Sequence, residues 1–430
     1  MDQLHEFGAM SDTVFFWTSL IKLLVAFVVV LVTVAMTTLA ERKIAGFIQD
    51  RLGPNRVGPW GLLQPIADGL KNFIKEETRP GEAAGFYFVL APMLAIGPAF
   101  VLFAVIPWAA PLPTPWGVVD MVVADIPIGI LFILAFSSLG VYGAFLAGWS
   151  SNNKYSFLGG LRASAQMVSY EVALGLSLIP IFMIVGNVKI TDMVWYQQEG
   201  LGLWFALPLA LSFFLFVIAS FAETNRLPFD MPEAESELVA GYHAEYSSMK
   251  FSMFMMGEYA HVITQSALMA TLFFGGWDIP FWQGDDMRML ADGVVQGAEP
   301  AVWKTLLTFA FFAAKTLFFV FVFIWVRWTV PRFRYDQIMD LGWKALLPTS
   351  LAYVMAIGFT ILVLDSLGLE YGLVYGLILT AVSLVATAIF LWVVDNDRVL
   401  RGGSARRQVP PREPQAVVVE AESDRVAVRG

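Results

Sequence analysis

Apolar runs nearly free of charge divide this chain, and their lengths match the roughly 20 helical residues needed to cross about 30 Å of hydrocarbon. Nine such runs stand out: 14–40, 86–107, 128–149, 165–186, 203–222, 251–275, 302–327, 345–365 and 372–394. The last two are joined by the short turn Asp365–Tyr371, which reads as a helical hairpin. Pro107, Pro111, Pro113, Pro115 and Pro127 punctuate the connection between the second and third runs. The expected fold class is therefore all-α: a polytopic membrane protein of about nine transmembrane helices over residues 1–395. The first run is too long for a cleaved signal, and the residues before it, Asp2, Glu6 and Asp12, carry no basic charge. From 396 to 430 the chain turns polar, with Pro and Gly and without helical period, and a disordered tail is expected there.

Basic residues between the runs give the orientation. With the N-terminus outside, the inside connections hold 22 of the 27 Lys and Arg residues, and Lys189 and Arg288 alone lie in outside connections. Leaving out the tail, the ratio is still 15 to 2. The positive-inside rule then places the C-terminus in the cytoplasm.

The first inside connection, 41–85, is unusually patterned for a loop. Gly53-Pro54 and Gly58-Pro59 enforce turns. Gly53 and Gly58 have phosphate-loop spacing, but Pro59 stands where that motif needs Lys, which rejects a nucleotide site. Beyond the turns, Leu62, Leu63, Ile66, Leu70, Phe73 and Ile74 recur at helical spacing, with Gln64, Asp68, Lys71 and Lys75 on the other face. This pattern predicts an amphipathic helix lying in the membrane interface. Such a helix either forms one wall of a lateral opening for a lipid-soluble molecule or is a plain surface anchor. Periodicity leaves both open. Arg42, Arg51 and Arg56 read more readily as phospholipid headgroup contacts than as ligand contacts.

The inside connection 223–250 runs against the orientation rule. It carries Glu223, Asp230, Glu233, Glu235, Glu237 and Glu245 against Arg226, Lys250 and His243. Asp230-Met231-Pro232-Glu233 resembles a helix start, which would put Glu233 and Glu237 on one face. Crowded carboxylates cannot all ionise cheaply, so some become proton acceptors near neutral pH. A solvated acidic loop is the ordinary reading of such a run. Acids and bases within the neighbouring apolar runs weigh against it: Glu171 in the fourth, Glu258 in the sixth and Lys315 in the seventh. A charge at membrane depth is costly unless paired or hydrated and marks a proton or ion path by default. Snorkelling accounts for Lys22 and Lys304.

Composition then narrows the chemistry. Of the 430 residues 57% are hydrophobic and 15% charged, which excludes an ordinary soluble domain. There is no cysteine and only His5, His243 and His261, so an iron–sulfur cluster, a cysteine zinc site and a disulfide framework are excluded as properties of this chain alone. No metal site is expected. The net charge of −9 is no clue to a basic partner, and no nucleic-acid partner is expected.

Four stretches carry a family resemblance. ERKIAGFIQDRLGPNRVGPWGLLQPIADGLKNFIKE, NNKYSFLGGLRASAQMVSYE, AETNRLPFDMPEAESELVAGYHAEYSSMKF with GEY, and RWTVPRFRYDQIMDLGWKALLP occur in that order over about residues 14–350. They are similar to the signature stretches of the quinone-site membrane subunit of proton-pumping NADH–quinone oxidoreductase, respiratory complex I. The ninth run and the tail lie beyond the shortest members, and nothing is carried over to them. The resemblance implies a bacterial membrane subunit that docks onto a peripheral arm and forms, with it, the chamber a quinone enters from the bilayer. It implies that NADH, flavin and iron–sulfur clusters sit on partner subunits, that antiporter-like membrane subunits are the other neighbours, and that quinone is a substrate. The family's acid path matches Asp68, Glu171, Glu223, Glu233, Glu235, Glu237, Glu245 and Glu258, and its quinone entrance matches Arg42 and Arg51.

Two other readings stay open at this point. The homologous membrane subunit of a membrane-bound hydrogenase would keep the acids but need no quinone entrance. A stand-alone ion transporter would show an internal repeat with matching broken helices, and Pro180 and Pro208 make no such pair.

Overall fold

A computed structural model describes residues 4–6, 11–232, 238–290, 294–369 and 371–395. The expected helix start at Glu233, with Glu235 and Glu237, and the 396–430 tail lie outside them. Each of the nine apolar runs contains a helix: α1 (Asp12–Ile48), α3 (Gly85–Leu102), α4 (Gly129–Ser150), α5 (Lys154–Val185), α7 (Ala210–Glu223), α8 (Ser248–Phe273), α9 (Val302–Thr329), α11 (Leu347–Ser366) and α12 (Leu373–Asp395). Shorter helices α2 (Gln64–Ile74), α6 (Ile190–Trp195) and α10 (Tyr335–Asp340) lie in the connections. Among the described residues, seven helices are both long and apolar enough to span a membrane. The two that fall short do so for different reasons. The fifth, α7, has 14 residues. The sixth, α8, has 26 residues and ample length, but Lys250, Glu258 and His261 dilute its apolar character. The protein is an all-α polytopic membrane protein, and the count of nine spans is not established by these criteria.

The helices alternate between two faces. One, the acidic-loop face, carries the connections 49–84 and 224–247. The other, the hairpin face, carries two small antiparallel sheets. These are β2 (Leu112–Thr114) with β3 (Gly117–Val119), and β1 (Leu4–Glu6), β5 (Val294–Gly297) and β4 (Met287–Met289) in the order β1-β5-β4. Leu4 stands opposite Gln296, and Met287 opposite Gly297.

Small residues let three helices meet at backbone distance, as packing between apolar helices in lipid favours. A Cβ added at Gly143 of α4 would sit 2.9 Å from the Ala95 nitrogen of α3. One added at Gly257 of α8 would sit 3.0 Å from the Ala95 carbonyl oxygen. Glu258, next to Gly257, is therefore carried into the protein interior by a close helix contact. Helix α5 begins at Lys154, well before the apolar run does. The Asn153 side chain accepts a hydrogen bond from the Tyr155 N–H, and left-handed Gly186 ends the helix. Glu171 thus lies near the middle of a 32-residue helix.

Helix α2 is amphipathic as the pattern predicts: Ile66, Leu70, Phe73 and Ile74 are exposed along one side. Its C-terminal end is tied to α8 by the Ser248 hydroxyl, which lies 2.8 Å from the Asn72 carbonyl and 2.9 Å from that of Lys75.

Candidate functional site

Helices α4, α5, α7 and α8 enclose a cavity of about 50 Å³ lined by Glu171, Glu223, Glu258 and His261, with Ser137, Asn225 and Tyr242 on its wall. A space of that size with several polar groups has room for a few waters. The Ser138 hydroxyl donates to Glu171. Glu223 accepts from Gln265 Nε2 at 2.8 Å, and Gln265 in turn accepts from the Ser220 hydroxyl at 3.2 Å. Glu258 and His261 are three residues apart on α8 and so share one side of it. The His261 Nδ1 is buried without a hydrogen-bond partner among the described residues. Its ring lies against Gly140, where an added Cβ would come within 3.4 Å of Nε2.

A cluster of fixed charges adjoins this cavity. The chain leaves α7 through a turn whose carbonyls at Ala222 and Phe229 both accept from buried Gln166 Nε2, each at 2.8 Å. Asn225 takes a left-handed conformation there, which its short polar side chain tolerates. The turn delivers Arg226 into the interior, where it is 5% exposed. Its Nε lies 2.7 Å from Glu258 and its Nη1 3.4 Å from Glu41. Its guanidinium carbon sits 4.1 Å from the centre of the Tyr259 ring. Glu41 also accepts from the Tyr259 hydroxyl at 2.7 Å and from Arg327 of α9. The run Glu41–Arg226–Glu258 therefore joins α1, α8 and α9 to the acid-lined cavity. Nearby, Arg332 pairs with Asp230 at 2.8 Å. Burial pushes the Asp230 carboxyl up to about 6, against the pull of Arg332.

The other expected site residues lie apart from this cavity. Asp68 on α2 receives Arg42 at 2.6 Å and the Gln64 amide at 3.0 Å, forming a polar edge on the interfacial helix. Arg51 is exposed in the turn after α1 and donates to Gln49 at 2.6 Å. Glu245 accepts from Asn153 at 2.6 Å in an open cleft of about 420 Å³ shared with Glu82 and Lys154. His243 is not the counter-charge it resembles in the sequence, because burial pushes its imidazole down to about 4 and leaves it neutral. Lys315 faces the hairpin side, where it donates to the carbonyls of Phe274, Gly276 and Asp278. It closes a loop there and takes no part in the acid-lined cavity.

Reasoning from the sequence missed Glu41, Arg327 and the inward aim of Arg226. Glu41 opens the polar ERK stretch at the end of an apolar run, where a charge ordinarily snorkels to water. The available signal was Arg226 itself, a base within a strongly acidic segment.

The NADH dehydrogenase family model matches residues 21–358. The H subunit of NADH-quinone oxidoreductase from Leptospira biflexa serovar Patoc is 49% identical over 345 residues, covering 78% of this chain and 92% of that protein. NADH-quinone oxidoreductase subunit 8 of Rhodothermus marinus is 47% identical over 348 residues, covering 80% of this chain and 97% of that protein. An H subunit of the same enzyme from Cytophaga hutchinsonii is 45% identical over 338 residues, covering 78% of this chain and 94% of that protein. The matched span contains every described element from within α1 to the middle of α11, including each residue of the acid-lined cavity and of the Arg226 cluster. The chain belongs to the NADH dehydrogenase family.

Proposed function

We propose that this chain is the membrane subunit of a bacterial NADH–quinone oxidoreductase that forms part of the quinone chamber and passes the consequences of quinone reduction into the membrane as proton movement. The observation that carries the reading is the single cavity that Glu171, Glu223 and Glu258 line from three helices. Carboxylates gathered at membrane depth with room for water are what a proton path requires. Reduction of a quinone to a quinol takes up two electrons and two protons. The electrons come from iron–sulfur clusters on a peripheral-arm partner, since this chain has no cysteine to ligate a cluster.

The residues have separate parts in this reading. The exposed apolar side of α2, with Arg42 and Asp68 at its polar edge, forms one wall of the opening through which a lipid-soluble quinone enters. Arg226 and Arg327 supply the positive charge that Glu41 and Glu258 need away from bulk water. A charge change at the partner interface acts on the acidic segment 223–250 and passes through Glu258 and Glu223 to Glu171. Antiporter-like partner subunits take the path onward.

Glu171→Gln in the assembled complex keeps the hydrogen-bond acceptor for Ser138 and removes the proton site. It is expected to lower proton pumping by about a hundredfold, the low end of the range for losing one acid–base group. The measurement is NADH-driven proton uptake into vesicles at matched complex content. Full pumping in this variant sinks the relay. Separately, Arg42→Ala is expected to raise the quinone KM severalfold at unchanged kcat, and identical kinetics remove Arg42 from the entrance.

A further inference from the structure

On the hairpin face, the loop between α8 and α9 gathers three acids that the proposed function does not use. Asp278, Asp285 and Asp286 each direct a carboxylate oxygen to a point where all three oxygens lie within 4.8 Å of one another. Asp285 is fully buried and Asp278 is 7% exposed. Acids so placed are ordinarily neutralised by bases that bond to them, and here the nearby base, Lys315, acts on Asp278 and Asp285 through space while its hydrogen bonds go to backbone. Lys315 gives its ammonium to the carbonyls of Phe274, Gly276 and Asp278. Asp278 accepts from the Trp204 indole at 2.5 Å, and Asp285 Oδ2 accepts from the Ile279 N–H at 2.8 Å. The second oxygen of Asp285 is buried and has no hydrogen-bond partner among the described residues. A neutral oxygen, Gln198 Oε1, is likewise buried and unsatisfied. The amide nitrogen of the same side chain lies 3.5 Å from the Asp285 carbonyl, which places Gln198 beside the cluster. An unsatisfied buried oxygen on one of three converging carboxylates calls for a positive partner, which a bound ion supplies.

We propose that Asp278, Asp285 and Asp286 form a binding site for a hard divalent cation of the calcium class. The donor set is all oxygen, which suits neither zinc nor copper. Calcium accepts six to eight oxygens in irregular arrangements at about 2.3–2.6 Å, and three carboxylates that can each bind through one or two oxygens meet that need with water completing the shell. Magnesium demands a regular octahedron and gives up its water reluctantly, so it fits a mixed, partly buried set less well. The site has a structural task in view. Asp278 is bonded to Trp204 in the segment before α7, and Gln198 follows α6, while Asp285 and Asp286 precede β4. A cation there joins the 196–209 segment to the α8–α9 loop.

The test uses the purified whole complex after treatment with a chelator. Terbium(III) serves as the optical probe, since it replaces calcium at oxygen sites and is sensitised by a nearby indole such as Trp204. The expected result is sensitised emission that calcium displaces with a dissociation constant of about 10⁻⁴–10⁻³ M, the range of extracellular calcium modules. Asp286→Asn, at the more open edge of the cluster, is expected to weaken that calcium binding at least tenfold, and Asp285→Asn more. Magnesium is expected to compete at least tenfold less well than calcium. Counting bound radioactive calcium by equilibrium dialysis gives the second measurement: one ion fewer per complex in either variant than in the parent. Equal calcium content and equal emission in parent and Asp286→Asn complexes overturn the site. If Asp285→Asn fails to assemble, Asp286→Asn alone decides. The outcome is separate from pumping, so failure here leaves the proposed function standing.

Discussion

Two arginines within the same protein show how burial sets what a charge is worth. Arg42 pairs with Asp68 at 2.6 Å, but the Arg42 side chain is 51% exposed. Such pairs contribute about 0–1 kcal/mol. Arg226 is 5% exposed, and two glutamates and a tyrosine ring converge on it. Removing it takes from Glu258 the guanidinium 2.7 Å away and leaves Glu41 with Arg327 and the Tyr259 hydroxyl alone, and breaking a buried pair in this way costs about 3–5 kcal/mol. Arg226→Met is therefore expected to lower the amount of assembled complex in membranes well below that of Arg42→Met, which should assemble normally. Quantifying both by native gel and immunoblot checks this, and equal assembly would remove Arg226 from its structural place. The same contrast explains what a linear reading could see. Glu171 and Glu258 are conspicuous because each interrupts a long apolar run. Glu41 is buried too, yet it stands at the end of a run, among the charges of a polar connection. Only the three-dimensional approach of α8, α9 and the Arg226 turn takes it out of water.

At the scale of elements, each apolar run holds a helix, but the ends of run and helix differ. The fifth run, 203–222, reads as one span, whereas α7 begins at Ala210. The missing turns are held open by Gln197, 1% exposed, whose single side chain serves four backbone groups. Its oxygen accepts from the Phe205 N–H at 3.2 Å and the Gly275 N–H at 3.0 Å. Its amide nitrogen donates to the carbonyls of Met193 at 3.2 Å and Thr271 at 3.0 Å. Irregular backbone near membrane depth persists only where protein groups satisfy it, and one glutamine does so here. No periodicity encodes that role, because Gln197 reads as an ordinary polar residue in a connection. Gln197→Met keeps the volume and strands two buried N–H groups, a cost of about 1–3 kcal/mol for each. Thermal inactivation of the complex should begin several degrees earlier than in the parent, while Gln49→Met, in an exposed turn, should leave it unchanged. An unaltered profile in Gln197→Met would show that water satisfies those groups instead.

For the whole molecule, the two faces differ in kind, and that difference is the basis for assigning sides. The acidic-loop face holds the interfacial helix, the open cleft at Glu245 and the segment proposed to meet the peripheral arm. The hairpin face is closed by its own contacts: Lys22 donates to the carbonyls of Asp120 and Val122, Lys189 pairs with Asp125, and Arg288 pairs with Asp192. Basic residues concentrate on the first face, and on the positive-inside rule we propose that this face is the cytoplasmic one. The absence of cysteine makes this directly measurable, since any introduced thiol is the only one in the chain. Trp116, 68% exposed in the β2–β3 turn, and Tyr371, 44% exposed between α11 and α12, report the hairpin face. Exposed Asn55 reports the other. A membrane-impermeant maleimide should label Trp116→Cys and Tyr371→Cys in right-side-out spheroplasts and Asn55→Cys only in inverted vesicles. Labelling after detergent solubilisation supplies the accessible total for each position, so that cover by a partner subunit is not mistaken for sidedness. The reverse pattern would put the acid-rich segment outside the cell. It would then face away from cytoplasmic NADH, and the proposed coupling of quinone reduction to Glu258, Glu223 and Glu171 would lose its source of electrons.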